Sequence, residues 1–280
     1  HFKMFLPEIF LATSILVMTL HASLLVTSKR LGYPILTSSF GKLSILVLFL
    51  TFLLVNNNPI AFMLTYQNTF IFDLLTANVK QILLLSTICC LFIFEENLLR
   101  QQINNFEYFI LILCAVLGLL FLVSSYDLIS MYLAIEMQSL CLYVLAASKK
   151  NSSFSTEAGL KYFLLGSFSS ALLLFGMSIL YGCTGTTNFE NYTILFSGVD
   201  VSTFSTSESI SIALLFVGAA FFFKIAAAPL HMWSPDVYEG SPTSSTIFFA
   251  VIPKIALFAV FIRMFQTVFS SFEDTLLIMS

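Results

Sequence analysis

Eight apolar runs divide this chain, and they decide what it can fold into. They lie at residues 4–26, 40–55, 79–94, 107–126, 128–147, 158–182, 210–230 and 244–268. About 20 apolar residues in a helix cross the ~30 Å hydrocarbon core of a bilayer, and six of the runs reach that length. The second and third are shorter. A backbone in lipid must satisfy its own hydrogen bonds, so such runs fold as helices. The composition agrees: 58% of residues are hydrophobic and 10% charged, against about 25% charged in soluble domains. The sequence therefore predicts an all-α, polytopic transmembrane helix bundle in a lipid bilayer, with no soluble domain attached.

The net charge of −3 comes from residues scattered along the chain, with no basic patch or acidic tail, which argues against a nucleic-acid partner. Cys89, Cys90, Cys114, Cys141 and Cys183 form no C-x-x-C and no alternation with histidine, so they read as small buried hydrophobes. Neither a disulfide framework nor a metal site is indicated. No H-E-x-x-H or G-x-S-x-G occurs, and "GCTGTT" at 182–187 is not a phosphate loop. No cofactor, redox centre or quinone site is expected on this chain. The first run exceeds the roughly 7–15-residue core of a signal peptide and reads as a retained span. The opening His1, in place of an initiator Met, suggests an incomplete N-terminus.

Loops after odd-numbered runs hold Lys29, Arg30, Lys42, Arg100, Lys149 and Lys150. Loops after even-numbered runs hold Lys80 among Asp73, Asp127, Glu190, Asp200 and Glu208. The positive-inside rule then puts the N-terminus outside and the odd loops toward the matrix or cytoplasm. The acidic "DVYEG" segment after the seventh run breaks this pattern, so something other than topology must fix it.

Charges inside the runs are costly, roughly +2.5 to +3.5 kcal/mol for a mid-membrane lysine on insertion scales. Glu136, Lys224 and Lys254 stand in such positions. At 1.5 Å per residue they lie about 12, 21 and 18 Å from the outer face, a row along the membrane plane. Tyr132, Ser139 and Tyr143 share a helical face with Glu136. Pro229 and Pro253 leave the carbonyls of Ile225 and Phe249 without their usual donors, and a broken helix at membrane depth marks a protein-buried or hydrated cavity. Burial and neighbouring charge set the protonation of such groups, so they read as a proton relay. The alternative is a charge pair that only braces helices. His231, near Asp236 and Glu239, reads either as a switchable proton carrier or as a neutral cap of the broken helix. His21 reads as structural.

"FKIAAAPLHMWSPDVYEGSPT", "YLAIEMQSLCLYVLAASKK" and "TEAGLKYFLLGSFSSALLLFGMSILYG" resemble the subunit 2 family of NADH dehydrogenase in respiratory complex I. The likeness runs from about Glu107 to Met264 and is nearest to non-animal mitochondrial forms, with bacterial subunit N as counterpart. It implies a proton-translocating, antiporter-like subunit of NADH:ubiquinone oxidoreductase in the mitochondrial inner membrane, beside other membrane-arm subunits that include further antiporter-like ones. The family's proton path would fall on Glu136, Lys224 and Lys254, and its Pro-broken seventh helix on the stretch after Lys224. The family has about fourteen spans in two inverted repeats. This chain would hold about eight: residues 1–106 as three N-terminal helices and 107–280 as the first antiporter-like repeat with a short tail. The second broken helix is absent, which implies a fragment or a second polypeptide as partner. "SSFEDTLLIMS", 270–280, would then be the start of a ninth helix or a segment packing on that polypeptide. Two other classes stay open: a subunit of a multisubunit cation/proton antiporter, and a structural membrane subunit without a proton path.

Overall fold

A computed structural model describes residues 3–25, 36–58, 62–100, 106–149, 151–197 and 207–272. In chain order the elements are α1 (Leu6–Leu25), α2 (Leu36–Asn56), a hairpin of β1 (Met63–Thr65) and β2 (Phe70–Phe72), α3 (Leu74–Arg100), α4 (Glu107–Ser124), α5 (Leu128–Ala146), α6 (Ser153–Thr184), α7 (Phe189–Ser197), α8 (Ser207–Ile225), α9 (Trp233–Gly240) and α10 (Thr243–Ile262). A π-helical turn, Arg263–Val268, continues α10. Eight of these helices, α1 to α6, α8 and α10, are long and apolar enough to cross a membrane.

The bundle is organised around α4, whose residues are buried on every side, including Leu113, Val116, Leu120 and Val123. A helix apolar all round belongs inside other helices. It packs on α5 and also touches α1, α2, α3 and α10, while α6 packs on α5, α8 and α9. Small residues set the closest approaches. A Cβ on Gly118 of α4 would come 3.1 Å from the Gln138 nitrogen of α5, and one on Gly176 of α6 would come 2.9 Å from the Ala213 oxygen of α8. Backbones approach this closely in membranes only where the side chain is minimal. Large apolar side chains such as Leu16, Leu133 and Leu164 remain exposed, as a lipid-facing surface requires.

Several connectors carry structure that their composition does not signal. The linker after α2 folds into the hairpin, with Met63 opposite Phe72, and its turn uses Tyr66, Gln67 and Asn68 at φ 50°, 55° and 63°. The Ser/Thr-rich stretch contains α7, and the acidic segment is α9. The loops after α2, α4 and α6 interlock on one side: Tyr126 N donates to Thr69 O at 2.8 Å, Leu128 N to Thr187 O at 3.0 Å, and Phe189 N to Tyr126 O at 3.1 Å. Asn188 Nδ2 donates to Asn68 O at 2.7 Å.

Three sequence expectations need correction. The third span begins at Leu74 rather than 79, so Lys80 is not a loop charge; it is 3% exposed within α3. The seventh ends at Ile225 rather than 230. Of the cysteines only Cys90 is buried, with Cys89 exposed and the others half-buried, because lipid as well as protein surrounds an apolar helix. The segment from residue 273 onward lies outside the described residues, as do Lys29, Arg30 and Lys150.

Candidate functional site

The site is built where α8 stops. Ala226 takes a left-handed conformation at φ 64°, Ala226 N donates to Phe223 O at 3.2 Å and Ala227 N to Phe222 O at 2.9 Å. This paired bonding is a Schellman ending, with alanine in the place glycine usually takes. The break therefore falls before Pro229, which lies beyond a helix already closed. Phe223 O also accepts the indole N–H of Trp233 at 2.8 Å. Trp233 holds the loop back onto the end of α8, a role that sequence reasoning did not assign. The available signal was chemical: a buried indole N–H is a donor in need of an acceptor.

Lys224 lies in the last turn of α8, and its Nζ donates to Ser170 Oγ of α6 at 3.2 Å. Beside it is a cavity of about 30 Å³ walled by Gln138, Ser139 and Tyr143 of α5, Tyr162 of α6, Trp233 and Pro253. That space accommodates about one or two waters. Tyr162 stacks on Trp233 with ring centroids 5.1 Å apart, and Tyr143 meets Tyr162 edge-on at 4.9 Å. Glu136 lies within coulombic range of Lys224, and also of Tyr132 and Tyr143 on its own helix. Its Oε1 is buried and has no hydrogen-bond partner among the described residues, and the same holds for Oε1 of Gln138.

Lys254 follows Pro253 in α10 but does not wall this cavity. Its Nζ lies 6.0 Å from the Tyr238 ring centroid of α9. Burial pushes the Tyr238 hydroxyl up, so it stays protonated, and its oxygen has no hydrogen-bond partner among the described residues. The structure thus brings Glu136 and Lys224 together and sets Lys254 toward α9. His231 is exposed, outside the cavity wall. Its carbonyl accepts Ser234 N at 3.0 Å and Ser234 Oγ at 2.9 Å. It is the His231 backbone, and not the ring, that secures the start of α9. His21 is exposed, with its ring 6.3 Å from that of Phe40.

Other charges inside the spans were not counted from the sequence. Glu8 of α1 and Lys80 of α3 form an ion pair at 2.5 Å. Arg263 donates to Asp73 at 3.0 Å and to Val123 O at 2.9 Å. Lys161 of α6 bridges Asp236 and Glu157, each at 2.9 Å. The Lys161 to Asp236 link ties the acidic α9 segment to α6, which supplies the anchor that topology did not.

Residues 125–280 match the family described as NADH:quinone oxidoreductase/Mrp antiporter, transmembrane. The chain belongs to that family. Glu136, Lys224, His231 and Lys254 all fall within the matched region. Over 271 residues the chain is 45% identical to NADH-ubiquinone oxidoreductase chain 2 of Marchantia polymorpha, covering 96% of this chain and 55% of that protein. It is 40% identical to NADH-quinone oxidoreductase subunit N of Paramagnetospirillum magneticum, covering 96% of this chain and 54% of that protein. The chain thus spans about half the length of the curated relatives it matches. Among solved structures, a chain of respiratory complex I from Thermus thermophilus with bound aureothin superposes with a TM-score of 0.73 at 29% identity, over 92% of this chain and 53% of that one. A chain of the Mrp complex from Dietzia sp. DQ12-45-1b reaches 0.71 over 96% of this chain and 50% of that one, at 18% identity, a likeness of fold alone. The antiporter-like helix plan expected from the motifs is borne out.

Proposed function

We propose that this chain is a proton-translocating, antiporter-like subunit of the membrane arm of NADH:ubiquinone oxidoreductase in the mitochondrial inner membrane. Glu136, Lys224 and Lys254 carry its proton path. The observation that supports this most is the placement of Lys224: it ends a broken helix, borders a small cavity that Gln138, Ser139 and Tyr143 also wall, and lies within coulombic range of a carboxylate whose Oε1 has no partner among the described residues. With Glu136 ionised, its charge favours the ammonium form of Lys224. When Glu136 takes up a proton that support is lost, and Lys224 releases its own proton toward the cavity. Lys254, beyond the Pro253 wall, is the next acceptor. NADH oxidation and quinone reduction belong to other subunits, and the second half-channel belongs to helices beyond this chain, whether in the same polypeptide or in another.

The complex I reading is favoured over a multisubunit cation/proton antiporter by 40–45% identity to complex I subunits against 18% to the Mrp chain. Co-purification decides between them: flavin- and iron–sulfur-containing partners support the former, antiporter subunits alone the latter. Lys224→Met tests the relay. Pumping is expected to be lost while the complex still assembles; lost assembly would mark Lys224 as a brace, and undiminished pumping would remove it from the path.

A further inference from the structure

We propose that Glu8 and Lys80 form a second buried proton-exchange site, one that extends the row of ionisable groups from α10 onto α3 and α1. The inference rests on the proton-path reading of Lys254. Glu8 is 1% and Lys80 3% exposed. Their contact uses Glu8 Oε1; Oε2 is buried without a partner among the described residues. Both residues wall a cavity of about 30 Å³ shared with Asn58, Asp73 and Thr76, roomy enough for about one or two waters. The Lys80 ammonium also stands 4.7 Å from the Phe72 ring centroid.

A pair kept only to brace α1 against α3 would be expected to satisfy all its lone pairs, because a buried ion pair offsets its desolvation only with additional hydrogen bonds. This one leaves a carboxylate oxygen without a partner among the described residues, on a side chain that borders a space sized for water. Its depth is also telling. Arg263 pairs with Asp73, which sets a common level for α3 and α10, two helices in contact. From that level Lys80 lies about 10 Å inward along α3 and Lys254 about 14 Å inward along α10, at 1.5 Å per residue. The two lysines therefore occupy nearly the same plane of the membrane.

The first step leaves the net charge of the pair unchanged. One proton shifts from the Lys80 ammonium to Glu8, converting the ion pair to a neutral amine and a carboxylic acid. The acid then releases its proton to water in the cavity, the amine takes up another proton from the α10 side, and the ion pair is restored with one proton passed on.

The test uses the assembled complex in sealed vesicles. Glu8→Met with Lys80→Met removes both charges at similar volume, an exchange that buried pairs often tolerate. The expected result is normal assembly with proton pumping reduced at least threefold per quinone reduced. Normal assembly with normal pumping would overturn the proposal and leave the pair as a brace. If that double variant does not assemble, Glu8→Asp keeps the pair: turnover-induced infrared difference spectra should contain a carboxylic-acid C=O band that shifts in D2O and moves in Glu8→Asp, and a spectrum unchanged by the substitution would overturn the proposal. Lys224→Met in the same assay separates the two readings, because normal pumping there removes the main relay whatever Glu8 does.

Discussion

The Tyr143 hydroxyl fills the place where a side chain on Gly166 would begin: a Cβ on Gly166 would lie 2.2 Å from that oxygen. Tyr143 belongs to the wall of the Lys224 cavity and also to that of an open groove of about 520 Å³ between α4, α5 and α6. The ring is a partition between the two spaces, and the missing side chain at 166 is what lets it stand there. Gly166→Ala should displace Tyr143, because overpacking of this kind costs about 1–3 kcal/mol. The expected result is a several-fold fall in pumping, partly recovered when Tyr143→Leu frees the space in the same chain. A loss in the double variant equal to the product of the two single-variant losses would show that the two positions act separately.

Glu136 and Lys224 should behave as one unit. Glu136→Gln removes the charge acting on Lys224, and Lys224→Met removes the group acted upon, so the double variant is expected to pump no worse than the weaker single variant. The measurement is proton-coupled turnover in the four members of the cycle. Strictly multiplicative losses would contradict coupling within this pair.

What could be read from the sequence divides along physical lines. Eight spans were legible because apolar length is a local property, and Glu136 and Lys224 because charge within such a run is rare. The end of α8 was misplaced because Pro229 is a visible helix breaker, whereas the left-handed Ala226 leaves no trace in composition. The hairpin at 63–72 was missed for the same reason, since three non-glycine residues make its turn. Glu8 and Lys80 are 72 residues apart and meet only once the helices around α2 and α4 have assembled. Lys161 was visible in its run, but its partner Asp236 stands in another element.

Ala226 offers a direct check of the helix ending. A non-glycine residue in the left-handed region costs roughly 1–2 kcal/mol, which glycine avoids. Ala226→Gly should therefore raise the thermal stability of the assembled subunit by about 1 kcal/mol, with pumping unchanged. A lowered midpoint in a thermal-unfolding assay would mean that the ending is not held by the two bonds to Phe222 and Phe223.

Pro229 and Trp233 should differ in consequence, although both belong to the broken segment. The carbonyls of Phe222 and Phe223 are already taken up by Ala227 N and Ala226 N, so Pro229→Ala supplies a donor that the closed end of α8 does not need. Trp233→Phe is different. It keeps an aromatic ring to stack on Tyr162 but deletes the 2.8 Å bond to Phe223 O, one residue before Lys224. Losing a buried hydrogen-bond donor costs about 1–3 kcal/mol where its partner stays unsatisfied. Here Ala226 N still serves the same carbonyl, so the loss should fall at the low end and appear as misplacement of Lys224 more than as unfolding. Pro229→Ala is therefore expected to pump within about twofold of the parent, and Trp233→Phe to assemble normally with pumping reduced about tenfold, the equivalent of ~1.4 kcal/mol. Trp233→Phe pumping at the parental rate would show that the indole N–H does not position Lys224, and Pro229→Ala failing as badly as Trp233→Phe would return the break to the proline.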